Sequence, residues 1–72
     1  MKVTRGPRFL LQEITREWDF EHNGEEHTFR EYEGMEGRRM WFDDEEVYNM
    51  DEDILLDGMT AMGIYEEVSQ YE

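Results

Sequence analysis

The chain has no cysteine, and it has only one proline, one lysine and one serine among its 72 residues. The absence of cysteine excludes disulfides, thiolate metal sites and cysteine nucleophiles. With Ser69 as its single serine, Lys2 as its single lysine and no glycine-rich phosphate loop, the sequence offers little for catalysis. A chain this short also has little room for the pocket of ~300 Å³ that an active site needs. We therefore expect a protein that is not an enzyme.

Long apolar runs are also absent, and no run approaches the ~18 residues of a membrane span. Near the N-terminus, three basic residues are followed only by the apolar block Phe9-Leu10-Leu11, which is shorter than a signal peptide requires. The lack of cysteine fits a reducing compartment. We therefore expect a cytoplasmic protein that does not bind membranes.

Basic side chains are missing from the end of the chain, because residues 43–72 contain eleven carboxylates and no lysine or arginine. Residues 1–20 hold four basic and three acidic residues, a balance of +1, whereas residues 21–72 hold three basic and seventeen acidic residues, a balance of −14. Charges of one sign at this density repel each other and lower folding stability. The sequence therefore predicts an acidic pole, kept either for solubility or for binding a basic partner.

The residues that are present predict a folded domain. Ten aromatic residues and six methionines partly offset an apolar fraction of 38%, and acidic disordered chains are usually poor in aromatics. We expect residues 1–72 to form one small acidic domain. Within it, the sequence predicts a leader over residues 1–7, a β-meander over residues 8–42 and an acidic helical segment over residues 43–72.

The clearest local signal is Asn23-Gly24, because a type I′ hairpin turn needs positive φ at both central positions. If this turn closes a two-residue loop after a strand at Phe9–Phe20, Trp18 pairs with Phe29 on the next strand. The same register gathers apolar residues on one face of the hairpin: Ile14, Trp18, Phe20 and Phe29. This separation from the polar residues supports the register, since a slip by one residue would reverse it.

A third strand is predicted at Arg38–Phe42. The loop before it, Glu33–Gly37, has five residues and therefore several possible geometries. The register of this strand is not fixed by such a loop. Whether Trp41 faces the core is therefore left open.

A helix is predicted from Asp51, which is a suitable N-cap residue. Apolar residues follow at helical spacing: Ile54, Leu55, Met59 and Met62. Gly63 is suited to end the helix, whereas Gly58 inside it costs ~1 kcal/mol relative to alanine. Ile64–Tyr71 is either a second helical piece or a fourth strand. The expected fold is thus α+β, with a three-stranded antiparallel β-meander packed against a C-terminal α-helix.

Two sequence patterns contain residues that could bind a metal ion, but neither meets the requirements of a metal site. His22 and His27 flank the hairpin turn beside carboxylates, but we expect them on opposite faces of the hairpin, where a shared ion is awkward. The run from Asp53 does not match a calcium-binding EF-hand loop, since Leu55 and Ile64 stand where that pattern needs acidic ligands. We therefore expect no metal site and no cofactor.

In size and in the acidic composition of Glu21 to Glu72, the chain resembles the small acidic inhibitors carried by phages and mobile elements. These include anti-restriction proteins, anti-CRISPR proteins and inhibitors of uracil-DNA glycosylase, several of which mimic nucleic acid. The resemblance implies stoichiometric inhibition of a nucleic-acid-binding protein, in the host cytoplasm if a phage encodes the chain. It rests on size and charge without a shared motif, so it transfers no individual functional residue.

Our hypothesis is that an acidic surface occupies a basic groove of such a partner and blocks the entry of DNA or RNA. The residues expected to bind the partner are ten carboxylates and two aromatics: Asp43, Asp44, Glu45, Glu46, Asp51, Glu52, Asp53, Asp57, Glu66, Glu67, Trp41 and Tyr48. Two alternatives are open, namely an adaptor that binds through Trp41, Tyr48 and the methionines, and a housekeeping protein of a high-salt cytoplasm. A homodimer is also open, and we expect no direct binding of nucleic acid.

Overall fold

A computed structural model describes residues 1–9 and 15–71. Its larger sheet has five antiparallel strands in sequential order: β1 (Lys2–Phe9), β2 (Thr15–His22), β3 (Glu25–Gly34), β4 (Gly37–Phe42) and β5 (Glu45–Val47). A small antiparallel hairpin of β6 (Ile54–Leu56) and β7 (Met59–Thr60) follows, and the helix α1 (Ala61–Val68) comes last. The expected three-stranded meander is wrong, because a strand is added at each of its edges and the protein is mostly β.

The hairpin of β2 and β3 has the predicted register. The Asn23-Gly24 turn has φ of +52° and +80°, as a type I′ turn requires. Trp18 pairs with Phe29, and their ring centroids are 6.4 Å apart. These two side chains and Phe20 are fully buried, which confirms that they form the apolar face. Ile14, expected on the same face, lies with the rest of residues 10–14 outside the described residues.

Tight turns also connect β3 to β4 and β4 to β5. Gly34 pairs with Gly37, so a two-residue turn replaces the predicted five-residue loop. Met40 is fully buried, and alternation along β4 places Trp41 on the opposite face of the sheet, which answers the question left open by the sequence. Asp43-Asp44 forms the next turn, with φ of +48° and +69°.

Residues 1–7, expected to be a leader, lie almost entirely in β1 and pair with β2. The pairing shifts register on both sides of Arg5. A glycine is required at position 6, because a Cβ on Gly6 would lie 2.7 Å from Cδ1 of Trp18. Register shifts, a proline and basic side chains are features that keep an edge strand from pairing with another chain. The strand therefore covers Trp18 without offering a regular free edge.

Residues 51–62 do not form the predicted helix. Asp57-Gly58 has φ of +46° and +78° and makes a tight turn between β6 and β7. Gly58, which would weaken a helix, therefore indicates a hairpin turn. The helix begins after Thr60, whose side chain accepts a hydrogen bond from the backbone nitrogen of Gly63 at 3.2 Å. Gly63 therefore lies inside α1 and does not end it.

One face of the larger sheet packs against α1. The core consists of residues from four strands and the helix: Trp18, Phe20, Phe29, Met40, Val47, Ala61, Ile64 and Val68. Ile64–Tyr71, left open between helix and strand, is helical through Val68. In the part of the chain that the structure describes, no helix is both long and apolar enough to cross a membrane.

Candidate partner-binding surface

The face of the sheet opposite α1 carries a network of arginines and carboxylates. Arg8 donates hydrogen bonds to Oε1 of Glu17 at 2.5 Å and to Oδ2 of Asp19 at 2.7 Å. Arg30 donates to the other oxygen of Glu17, Oε2, at 2.7 Å. Since each of these carboxylates is bound to at least one cation, this network leaves little net charge on the face.

The same contacts set the pKa values of the two carboxylates. Partial burial alone would raise the pKa of Glu17, but the hydrogen bonds from Arg8 and Arg30 outweigh it and hold that pKa below its ordinary value. The pKa of Asp19 is lowered mainly by its hydrogen bond from Arg8. Both groups are therefore ionised at neutral pH, and both are already occupied by arginine.

A second ion pair joins β4 to β5. Arg39 donates from Nε and Nη2 to the two oxygens of Glu46, both at 2.8 Å, and its Cζ lies 5.1 Å from the ring centroid of Trp41. The pKa of Glu46 is lowered mainly by the hydrogen bond from Arg39, then by the charge of that arginine and to a smaller extent by the neighbouring Tyr48. Trp41 and Tyr48, the two aromatics predicted to bind a partner, thus flank one ion pair, and Glu46 is not a free charge.

The Asp43-Asp44 turn is fixed to β3. Oδ2 of Asp43 lies 2.7 Å from Nδ1 of His27, and Oδ1 accepts a hydrogen bond from the backbone nitrogen of Thr28 at 3.0 Å. The backbone nitrogen of Asp43 donates to the carbonyl oxygen of Thr28 at 2.9 Å. The side chain of Asp44 is 84% exposed and lies 3.9 Å from Arg30. The turn thus holds Asp43 in place and presents Asp44 to solvent.

The Asp57-Gly58 turn is fixed to the tip of the β2–β3 hairpin. Oδ2 of Asp57 lies 2.5 Å from Nε2 of His22 and accepts a hydrogen bond from Asn23 at 3.0 Å. The hydrogen bond with His22, and then that with Asn23, lowers the pKa of Asp57. Two acidic turns that are distant in sequence therefore meet the same hairpin. Three further carboxylates are exposed near its tip: Glu21, Glu25 and Glu26.

His22 and His27 lie on the same face of the hairpin, so the expectation of opposite faces is wrong. Cross-strand partners share a face, and the partner of His27 is Phe20, which alternation places on the face of His22. Each ring meets one aspartate, and its other nitrogen, Nδ1 of His22 or Nε2 of His27, is buried without a hydrogen-bond partner. Within the described residues, no group of three or more histidine and acidic side chains is placed to hold a metal ion. The histidines anchor the two acidic turns.

A shallow hollow follows β5. Its volume is about 260 Å³, and it is lined by five consecutive residues: Tyr48, Asn49, Met50, Asp51 and Glu52. The carbonyl oxygen of Asn49 accepts hydrogen bonds from the backbone nitrogens of Glu52 at 3.1 Å and Asp53 at 2.9 Å, so the segment closes into a compact turn. Asp51 is therefore part of a loop and not the N-cap of a helix.

The other predicted carboxylates lie at exposed positions, Glu45 on β5 and Glu66 and Glu67 in the last turn of α1. Across residues 1–9 and 15–71, ion pairs reach Asp43, Asp44, Glu46 and Asp57 of the predicted set. The remaining members have none and are called here the unpaired carboxylates: Glu45, Asp51, Glu52, Asp53, Glu66 and Glu67. They are the charges most available to a partner.

One buried charged cluster was not predicted from the sequence. Glu31 is fully buried, and Nη2 of Arg16 donates to its two oxygens at 3.0 and 3.1 Å. Arg16 also donates to the hydroxyl of Tyr65 at 3.0 Å, and Arg38 lies over the Tyr65 ring at 4.9 Å. The hairpin register contains the signal, because it pairs Arg16 with Glu31 on the face of Trp18. This cluster ties α1 to the sheet, and its burial keeps Glu31 from a partner.

Comparison with protein-family models, with curated proteins and with solved structures found no match to this chain. The fold and surface define a small antiparallel β-sheet protein with one covering helix, a near-neutral outer face and a set of exposed, unpaired carboxylates. Function therefore has to follow from the chemistry of these surfaces.

Proposed function

We propose that the protein is a stoichiometric inhibitor of a nucleic-acid-binding protein and that it acts by acidic mimicry of nucleic acid. The observation that carries the proposal is the division of charge between two parts of the molecule. Five of the six arginines, all on strands of the larger sheet, are bound to carboxylates of the same sheet, whereas the unpaired carboxylates are exposed and meet no cation among the described residues. A host-defence nuclease or a similar protein with a basic groove is the partner we favour, and the cytoplasm is the proposed compartment.

Rigid placement of acidic groups supports this mode of binding. Asp43 and Asp57 are each held by side chains or backbone of another element, so little conformational freedom remains to be lost on binding. Duplex DNA carries one charge per ~1.7 Å of its axis, and carboxylates on neighbouring strands lie ~4.8 Å apart. Carboxylates held at such spacings can bind the lysine and arginine side chains of a partner that otherwise bind phosphate.

The proposed binding set differs from the set expected from sequence. Glu46 is not included in the proposed binding set, because both of its oxygens accept hydrogen bonds from Arg39. Trp41 contacts the same arginine and lies on the near-neutral outer face. The acidic part of the proposed set is therefore the unpaired carboxylates together with Asp43, Asp44 and Asp57.

A second candidate function is an adaptor that binds its partner through aromatic side chains and uses its charge for solubility. Two observations favour it: Trp41 and Tyr48 flank the same ion pair, and Tyr48 is 79% exposed. Aromatic residues are enriched among the side chains that dominate binding energy at interfaces. Under this function, truncation of Trp41 matters more than any loss of charge.

A displacement experiment tests the proposal. Labelled duplex DNA is bound to purified host-defence nucleases and to other proteins with basic grooves, and fluorescence anisotropy follows its release as this protein is added. We expect release at an equimolar ratio, with affinity falling at least tenfold between about 50 and 500 mM salt. The triple variant Asp51→Asn, Glu52→Gln, Asp53→Asn should weaken inhibition, while Trp41→Ala should retain it.

The outcomes separate the two functions. Inhibition that survives the triple variant and salt but is lost in Trp41→Ala would establish the adaptor in place of the mimic. Failure to release DNA from every protein tested, or direct binding of the labelled duplex by this protein, would contradict inhibition by mimicry.

A further inference from the structure

Tyr48 has an unusual position for a large aromatic side chain. It directly follows Val47, which is buried at the end of β5, yet Tyr48 itself is 79% exposed. Tyr48 also lines the hollow that follows β5. An exposed aromatic beside a concavity is a typical anchor for a side chain of a partner.

The hollow is held in shape by backbone hydrogen bonds. Asn49 closes the turn through its carbonyl oxygen, and the backbone nitrogen of Met62 in α1 donates to the carbonyl oxygen of Met50 at 3.0 Å. The second bond fastens the loop to the first turn of the helix. The backbone of the lining residues therefore keeps its shape before any partner arrives, which lowers the entropic cost of binding.

The chemistry of the lining suits a cation on an apolar stem. The Tyr48 ring and the Met50 side chain offer apolar surface, along which lysine and arginine pack their methylene groups. Asp51 and Glu52 supply two carboxylates for charge-assisted hydrogen bonds, and the ring supplies a cation–π contact. The carboxylates repel anions, and the volume of about 260 Å³ is small for a drug-sized ligand.

No basic residue of this chain fills the hollow. Residues 43–72 contain no lysine or arginine. Arg39, the basic residue on the strand next to β5, is bound to Glu46. Lys2 and Arg5 lie on β1, at the opposite edge of the five-stranded sheet. The cation that the lining fits must therefore come from another molecule.

Resting on the proposed function, we propose that this hollow captures one lysine or arginine side chain of the basic partner, with Tyr48 as the aromatic wall and Asp51 and Glu52 as the counter-charges. This single insertion fixes the register of the acidic surface on the groove. The remaining carboxylates then act through longer-range attraction.

An NMR titration of the full chain with a short arginine-rich peptide, and with its lysine counterpart, tests the inference. We expect saturable shifts centred on residues 48–52 and binding about tenfold weaker for Tyr48→Ala, whereas Tyr48→Phe keeps the ring and the affinity. Tyr71→Ala is the matched control, because Tyr71 is also exposed and lies outside the hollow. It should change affinity less than about twofold.

A second pair of matched variants distinguishes binding in the hollow from general electrostatic attraction. Two double variants each remove two negative charges: Asp51→Asn with Glu52→Gln, and Glu66→Gln with Glu67→Gln. Only the first double variant should strongly weaken binding of the peptide. Equal weakening by both double variants, or equal affinity of Tyr48→Ala and Tyr71→Ala, would overturn the inference while leaving inhibition by mimicry intact. Loss of the proposed function would instead appear as failed DNA displacement by the wild-type protein.

Discussion

Carboxylates in residues 1–42 and in residues 43–71 are the same chemical groups in different surroundings. In the first region, Glu17, Asp19 and Glu31 each accept hydrogen bonds from arginine. In the second, among the residues that the structure describes, only Glu46 accepts such a bond. Asp43 and Asp57 meet histidines, and the unpaired carboxylates meet solvent. All seven basic residues of the chain lie in the first region.

This difference shows how a chain with a net charge of −13 remains folded and still carries a strong field. Arginines are placed where two or three strands meet, so each ion pair also joins strands. The outer face and the buried pair under α1 thereby become nearly neutral. Much of the excess negative charge lies on turns, at Glu45 on β5, in the loop after β5 and on the exposed side of the helix, where water solvates it. Binding a basic surface would remove the remaining repulsion.

The largest predicted effect comes from breaking the buried pair. Glu31→Gln keeps the size of the side chain but removes the buried negative charge that accepts hydrogen bonds from Arg16 and lies 3.9 Å from Arg38. Removing one member of a buried pair costs ~3–5 kcal/mol. The lower value, about 3 kcal/mol, applies here because the side chain of Arg16 is 16% exposed. Urea denaturation followed by tryptophan fluorescence measures the change in free energy of unfolding.

The control for this prediction replaces both partners, as Arg16→Met with Glu31→Leu. Apolar substitution of a whole buried pair is often neutral, so this variant should recover most of the lost stability. A loss below about 1 kcal/mol in Glu31→Gln would show that the pair contributes no more than an exposed one.

A smaller loss is expected in the outer network. Glu17→Gln removes the charge shared by Arg8 and Arg30 and should lower the free energy of unfolding by about 1–2 kcal/mol at neutral pH. The pKa of Glu17 is lowered in the folded protein, so its contribution is present above the unfolded value near pH 4 and is lost as pH falls through the folded value. The wild type should therefore lose more stability on acidification than the variant. Parallel pH profiles of the two proteins would contradict this.

The sequence was sufficient for the part of the fold that local chemistry determines. Asn23-Gly24 sets the hairpin register, and that register already pairs Arg16 with Glu31 on the buried face. The hydrophobic pattern does not reveal this cluster, because Arg16 and Glu31 share their face with the buried side chains of Trp18, Phe20 and Phe29. Similarly, the hairpin register and simple alternation place the two histidines on the same face, contrary to the expectation of opposite faces.

The region after Asp43 could be predicted less well for a physical reason. Apolar residues in 51–62 fit helical spacing, but Asp57-Gly58 supplies the positive φ of a hairpin turn, and this local preference prevails over periodicity. The partners of Asp43 and Asp57 are histidines of a distant hairpin, and no pattern in one sequence identifies such contacts. The exposed carboxylates were predicted from composition, whereas the hollow beside Tyr48 depends on a turn that composition does not encode.

The smallest predicted effect is a gain in stability, not a loss. It tests most directly the comparison between the carboxylates of residues 1–42 and those of residues 43–71. Glu67→Gln removes one unpaired carboxylate from the last turn of α1, which contains no basic residue. Negative charge is unfavourable at a helix C-terminus and in a field of like charges, so the variant should melt about 1–2 °C higher than the wild type. Added salt should reduce this difference, because screening weakens repulsion between exposed charges. Glu17→Gln, which has the same chemistry in the paired region, should melt lower under the same conditions. Destabilisation of similar size in both variants would mean that the carboxylates of residues 43–71 are held by attraction, and the division of charge behind the proposed inhibitor would not exist.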